Sequence, residues 1–278
     1  MNASIQTDSE ATELRRRRLE SYLADNVFRE EQMVCGAYSD CVRARDRQHV
    51  TFYKGQAPHL GGCYDLRVEG VPFRVVVVGQ EYGHKGNFKS LDSRRKMVTE
   101  AALKPFRGVK PRNPHMRGTT SLLRFLVGRN AGTDPAGELL RIDDGREVHL
   151  FETFALVNFL MCSAVGLGTR RTKSTAAMKA HCAHHFKEIL RILEPSVIVV
   201  QSESYFPAIR GVFDRLTPAA PNLWRAEMDG NRSLLASFAH PASKFPKNWG
   251  ANDRTEYLRT VVAPAIQCLR AIAFEGVP

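Results

Sequence analysis

Val75-Val76-Val77-Val78-Gly79-Gln80-Glu81-Tyr82-Gly83-His84-Lys85-Gly86-Asn87 is the stretch on which the fold turns. Four consecutive valines present no polar face. They suit a strand buried on both sides, as in a parallel sheet covered by helices. The run breaks at Gly79 into a glycine-rich loop with an acid and two basic or titratable groups. In open α/β sheets, ligands bind outside the carboxyl ends of the strands. This loop is therefore the first place to look for chemistry, and a plain polar turn is the competing reading.

Working outward, the same rhythm recurs. Apolar segments at 148–158, 197–200 and 234–238 read as further central strands, and short strands are expected at 50–53 and 64–68. Helical spacing is expected at 10–33, 90–103, 119–127 (capped by Thr119 or Thr120), 175–193, 202–213 and 254–273, the last kinked at Pro264. Strands alternating with helices predict a three-layer α/β/α fold around a central four-stranded parallel sheet. Residues 1–33 read as a mobile N-terminal tail and basic helix, and residues 34–278 as one domain. The run Arg15 to Arg18 either contacts phosphates or forms a solvated face balanced by Glu13 and Glu20.

The 278 residues carry 40 Lys+Arg against 29 Asp+Glu, a net charge of +11, which favours a polyanionic partner such as nucleic acid. No apolar run is long enough to span a membrane, and the polar, acidic N-terminus is not a secretory signal. A cytoplasmic protein without a membrane partner is expected. Six cysteines in such a chain read as core residues or as metal or cluster ligands rather than as disulfides.

Three strand ends carry chemistry: Gly79-Gln80-Glu81, then Asn158 followed by Cys162, then His240. Parallel strands place these ends on one edge, so an acid, an amide and an imidazole can converge. Such a set can cleave a bond while reading a base edge.

In this order the motifs resemble those of the uracil-DNA glycosylase superfamily, most closely its family 4, the iron–sulfur enzymes. Gly79-Gln80-Glu81-Tyr82-Gly83 stands where that family has Gly-Glu-Ala-Pro-Gly. Asn158 stands four residues before Cys162, and Cys182 precedes Pro195 and the 197–200 strand. His240-Pro241-Ala242 matches the closing His-Pro-Ser/Ala motif, and 114–123 resembles the Pro-Phe-Val-Gly…Leu-Leu segment. The likeness runs over roughly residues 33 to 270.

The resemblance implies a DNA glycosylase that flips a base out of DNA, hydrolyses its N-glycosidic bond and leaves an abasic site. Glu81 would stabilise the sugar cation or orient water, His240 would stabilise the departing base, and Asn158 would read its edge. Gly79, Gln80, Tyr82, Gly83, Phe88 and His115 would line the base pocket, with His115 or Phe88 stacking on the base. Lys110, Arg112, Arg117, Arg170, Arg171, Lys173, Lys244, Lys247 and Trp249 would meet DNA, Trp249 or Phe245 as a wedge. Cys35, Cys41, Cys162 and Cys182 would hold a [4Fe–4S] cluster, with Cys63 as a possible substitute. Zinc bound with His181 or His184, or no metal at all, are the other readings. A monomer is expected.

The pocket residues depart from the family. Gln80-Glu81 replaces Glu-Ala, with the acid where family 1 carries the Asp of Gly-Gln-Asp-Pro-Tyr, Tyr82 replaces Pro, and His115 replaces Phe. A kept framework with changed base contacts implies a changed base: a modified pyrimidine such as a hypermodified phage cytosine, and a role in phage defence rather than uracil repair. A non-catalytic DNA-binding or sensor protein on the same fold, or a zinc-dependent nucleic-acid enzyme such as a deaminase, are the alternatives.

Overall fold

The structure is a computed structural model that describes residues 4–46, 50–53, 55–81, 88–166 and 174–275. Tyr82, Gly83, Arg170, Arg171 and Lys173 of the expected site lie outside the described residues.

One seven-stranded mixed sheet organises the chain. In chain order its strands are β1 (His59–Leu60), β2 (Val75–Gly79), β3 (Phe154–Asn158), β4 (Val197–Val200), β5 (Arg215–Ala220), β6 (Leu223–Met228) and β7 (Asn231–Ser237). Their spatial order is β5-β6-β7-β4-β2-β3-β1. The pairs β7–β4, β4–β2 and β2–β3 are parallel. Antiparallel β1 extends one side and the β5–β6 hairpin the other. The expected four-stranded sheet is thus corrected to seven strands of mixed direction. Of the added strands, β6 has a polar, half-exposed face and β5 is mostly exposed, so they lack the continuous apolar signature of a central strand, and the buried β1 is only two residues long.

Valines 75–78 alternate between two cores. Val76 and Val78 pack with Ala155, Val157, Ile198 and Val200 on one face, and Val75 and Val77 with Phe154, Leu156, Val197 and Val199 on the other. Helices cover both faces. Leu19 and Leu23 of α1 (Ser9–Asn26) and Phe186, Ile189 and Leu190 of α5 (Ala176–Leu193) fill the first core. Leu122 and Leu126 of α4 (Pro114–Leu126) and Ile266 and Leu269 of α7 (Ala263–Ala273) fill the second. Each fully buried valine contributes about 1.5–3 kcal/mol relative to exposure, which sets the strand in the middle layer.

The remaining helices are α2 (Tyr38–Asp46), α3 (Leu91–Ala102) and the short α6 (Phe206–Arg210), where 202–213 had been expected. The helix expected at 119 begins at Pro114. Asn113 caps it by accepting from Met116 N–H at 2.9 Å, and Pro114 occupies the first turn, where its missing N–H costs nothing. Thr119 and Thr120 are instead fully buried within it, their hydroxyls donating back to the carbonyls of His115 and Met116. His115 therefore sits in a first helical turn rather than in a loop. Ahead of Pro264, Leu258–Val262 winds as a π-helix, and Pro264 falls in the first turn of α7.

The N-terminal segment is no separate tail. Ile5–Thr7 pairs antiparallel with Leu66–Val68, and Arg15 donates to Asp65 and to Glu194. Arg16 pairs with Glu13 and Glu20, and the exposed Arg17 with Glu13, as in a balanced helix face. Among the described residues, no helix is long and apolar enough to cross a membrane.

Candidate active site

The carboxyl ends of β2, β3, β4 and β7 meet at one edge of the sheet. Gly79 and Asn158 are register partners there. Gly79 is required by close approach: a Cβ at this position would lie 2.6 Å from Asn158 Oδ1 and 3.9 Å from His115 Nε2. The glycine thus leaves the space into which a buried amide and an imidazole both project.

His115 stacks on His240, with ring centroids 5.4 Å apart and planes 24° from parallel. Burial, then His240 and Arg94, push the His115 pKa down to about 3, and burial lowers that of His240. Both rings are neutral near pH 7. The backbone N–H of Ala242 donates to His240 Nδ1 at 3.1 Å, so the ring proton resides on Nε2 and can be donated. The first turn of α4, which carries His115, adds the positive end of a helix dipole.

The loop that presents His240 is anchored deeply. Trp249 is fully buried, donates from Nε1 to Ala239 O at 2.7 Å, and packs against Phe238. Gly118 of α4 makes room for it: a Cβ there would lie 2.7 Å from Pro241 Cβ and 3.0 Å from the Trp249 ring. Tyr257 closes the brace, accepting from Ala239 N–H and donating to Glu203. Trp249 is consequently not a DNA wedge, which corrects that expectation. Phe245, 83% exposed at the tip of the same loop, is the residue free to act as one.

Glu81 is tied down at both oxygens. Tyr205 donates its hydroxyl to Oε1 and Ala164 its N–H to Oε2, each at 3.2 Å. Gln80 turns its amide to Ser202 and Ser204, beyond the end of β4. Gln201, fully buried, meets Thr119 of α4. Ser202, Ser204, Tyr205 and Gln201 were not anticipated. Their position directly after the 197–200 strand was the available signal, since that end faces the same edge as the other three.

The expected basic residues divide. Lys110 and Lys244 are exposed. Lys247 is exposed and paired with Glu203 at 2.7 Å. Arg117 is half-buried and donates to Gly250 O. Arg112 is corrected: it is buried against Glu138 at 2.6 Å and donates to Ala101 O, Ala102 O and Thr120, so it is a structural ion pair. Phe88 packs edge-on against Phe28 at 4.5 Å, which leaves His115 as the ring placed beside Asn158.

Cys41, Cys162 and Cys182 are buried in the first core, with the half-buried Cys35 near Cys41. Cys35 precedes α2 and Cys41 lies within it rather than in a loop; Cys162 follows β3, and Cys182 lies on α5. Burial raises the Cys41 thiol to about 11 and the Cys182 thiol to about 12, and pushes Cys162 well above its ordinary value. The charges of the others add to each shift: Cys35 to that of Cys41, Cys35 and Cys41 to that of Cys182, and all three to that of Cys162. Cys35 Sγ lies 3.3 Å from His185 Nε2. Cys63 instead neighbours Thr7, Glu152, Arg95 and Arg146, apart from this group.

Among the described residues, no three His, Cys, Asp or Glu side chains are close enough to share a single ion. A cluster gives each thiolate its own iron and accepts a wider spread than a zinc ion, whose sulfur ligands sit at about 2.3 Å. Four soft donors, three of them buried, from the α2 region, the end of β3 and α5 suit that demand.

No protein-family model matches this chain, and no curated protein sequence matches it.

Proposed function

We propose that the chain is a DNA glycosylase that removes a modified pyrimidine, such as a hypermodified phage cytosine, and leaves an abasic site. The observation that carries this reading is the neutral His115–His240 stack set against Asn158 across Gly79.

As the glycosidic bond lengthens, negative charge grows on the base and positive charge on the sugar. His240 donates Nε2–H to an oxygen of the departing base, a role that requires the neutral tautomer the Ala242 N–H selects. Asn158 presents a buried amide, able to donate and accept, to the base edge. The clamped Glu81 acts as a fixed negative charge facing the sugar cation. With one oxygen held by Tyr205 and the other by Ala164, it loses no orientation during the reaction. Lys244 and Phe245, exposed on the His240 loop, approach the backbone and the gap left by the flipped nucleotide.

The replacement of a phenyl ring by the imidazole of His115 supports a polar, modified base over plain uracil, because the ring gains a hydrogen-bonding edge. Release of such a base suits defence against phages that carry it. Cys35, Cys41, Cys162 and Cys182 would hold a [4Fe–4S] cluster that ties α2 and α5 to the end of β3. It serves as a structural crosslink.

The test is alkali-induced strand scission of defined duplexes holding uracil, cytosine or a glycosylated hydroxymethylcytosine. Scission at the modified base, abolished in His240→Ala, is expected. Tight binding to the modified duplex with no scission would favour a non-catalytic sensor instead.

A further inference from the structure

A cavity lies at the opposite edge of the sheet from the histidine pair. It holds about 410 Å³ and is floored by Phe73, Val197, Leu234 and Ile272. Val197 opens β4 and pairs with Val75 and Leu234, so the cavity sits at the amino ends of the parallel strands. The four steps from Val75 to Gly79 separate it from the histidine pair by about 13 Å.

Its rim is strongly cationic. Arg215 grips Glu227 with two hydrogen bonds of 2.9 and 2.6 Å, and Arg232 Nε stands 3.3 Å from the same carboxylate. Two arginines therefore share one acid. Arg225 lies two residues before Glu227 on β6 and so projects from the same face, across from Leu234. It is exposed and has no hydrogen-bond or ion-pair partner among the described residues. Three guanidiniums against one carboxylate leave a surplus of positive charge over an apolar floor.

We propose that this cavity binds a phosphate-bearing small molecule with a flat apolar group, of the mononucleotide class. A planar guanidinium matches phosphate oxygens in a bidentate fashion, and Arg225 is the one without a competing partner. The volume lies within the range of small-ligand pockets. A bare anion would gain nothing from the half-exposed Leu234 and Ile272, whereas a nucleobase covers them. The site is independent of the glycosylase reading, because none of its residues belongs to the histidine edge.

The test is titration calorimetry of the full chain with deoxynucleoside monophosphates, the matching nucleosides and inorganic phosphate. The expected result is nucleotide binding, with nucleoside and phosphate each weaker by about tenfold or more. Arg225→Ala, which removes no hydrogen bond or ion pair among the described residues, and Ile272→Trp, which fills the floor, should each weaken nucleotide binding by at least about tenfold. Asn158→Ala should leave it unchanged. No binding up to millimolar nucleotide, equal binding of inorganic phosphate, or loss in Asn158→Ala but not in Arg225→Ala would overturn the proposal.

Discussion

Replacing Gly79 by alanine separates the candidate site from the fold that carries it. The added methyl would stand 2.6 Å from Asn158 Oδ1, where ordinary contact begins at 3.4 Å. The obstacle is a side-chain oxygen rather than backbone, so the strain is relieved by turning the Asn158 amide. That turn moves the group proposed to read the base by about 0.8 Å, and misplacement near 1 Å costs roughly 100-fold in rate. The backbone itself accepts alanine: Gly79 lies outside the left-handed region, and alanine in a strand gains about 0.5–1 kcal/mol over glycine in chain entropy. Gly79→Ala should therefore unfold in urea within about 1 kcal/mol of the parent while base release falls by about two orders of magnitude. Both are measured on one preparation. Parent-like release from a normally folded variant would refute the placement of the site at Gly79 and Asn158.

Three further outcomes follow from the geometry. Anaerobically purified protein should carry iron and visible thiolate-to-iron absorbance, which Cys162→Ser or Cys182→Ser removes and Cys63→Ser or Cys268→Ser retains; iron content checks it, and an iron-free parent would count against the cluster. Burial lowers the pKa of His59 to about 4 and that of His115 to about 3, so the unfolded chain binds more protons below the ordinary histidine value of about 6.5. Stability should hold above pH 6.5 and fall as pH drops toward 4, by about 1.4 kcal/mol per unit for fully buried His59, and urea melts of His59→Gln should show a shallower slope. Arg112→Ala leaves the buried Glu138 with His149 as its remaining partner and uncaps the Ala101 and Ala102 carbonyls, and should cost about 3 kcal/mol with DNA affinity nearly unchanged, whereas Lys244→Ala should weaken DNA binding and flatten its salt dependence without loss of stability.

What could be read from the chain tracks the distance over which each feature is determined. The valines at 75–78 and the Val-Ile-Val-Val run at 197–200 announce buried strands because their identity alone excludes a solvated face. The Asn158 and His240 ends follow from that, since parallel strands share an edge. The β5–β6 hairpin escaped because Arg215, Thr217, Arg225 and Glu227 alternate with apolar residues and break the continuous pattern. Arg112 sits among prolines and basic residues, as a phosphate contact would, yet its partner Glu138 is 26 positions away and invisible to local reading. Trp249 lies in a polar loop, and Gly118, on a distant helix, makes room for its burial. The helix start at Pro114 was legible from Asn113-Pro114 and was masked by the threonines that follow.

The most direct measurement is mass spectrometry of the free bases released from uracil-containing, unmodified and heavily modified phage DNA, with Asn158→Ala as the control. The expected result is a free modified pyrimidine from phage DNA, little or no free base from the other two, and none from the variant. Robust uracil release with none from modified DNA would contradict the proposed specificity, and no free base from any of the three would contradict the glycosylase itself.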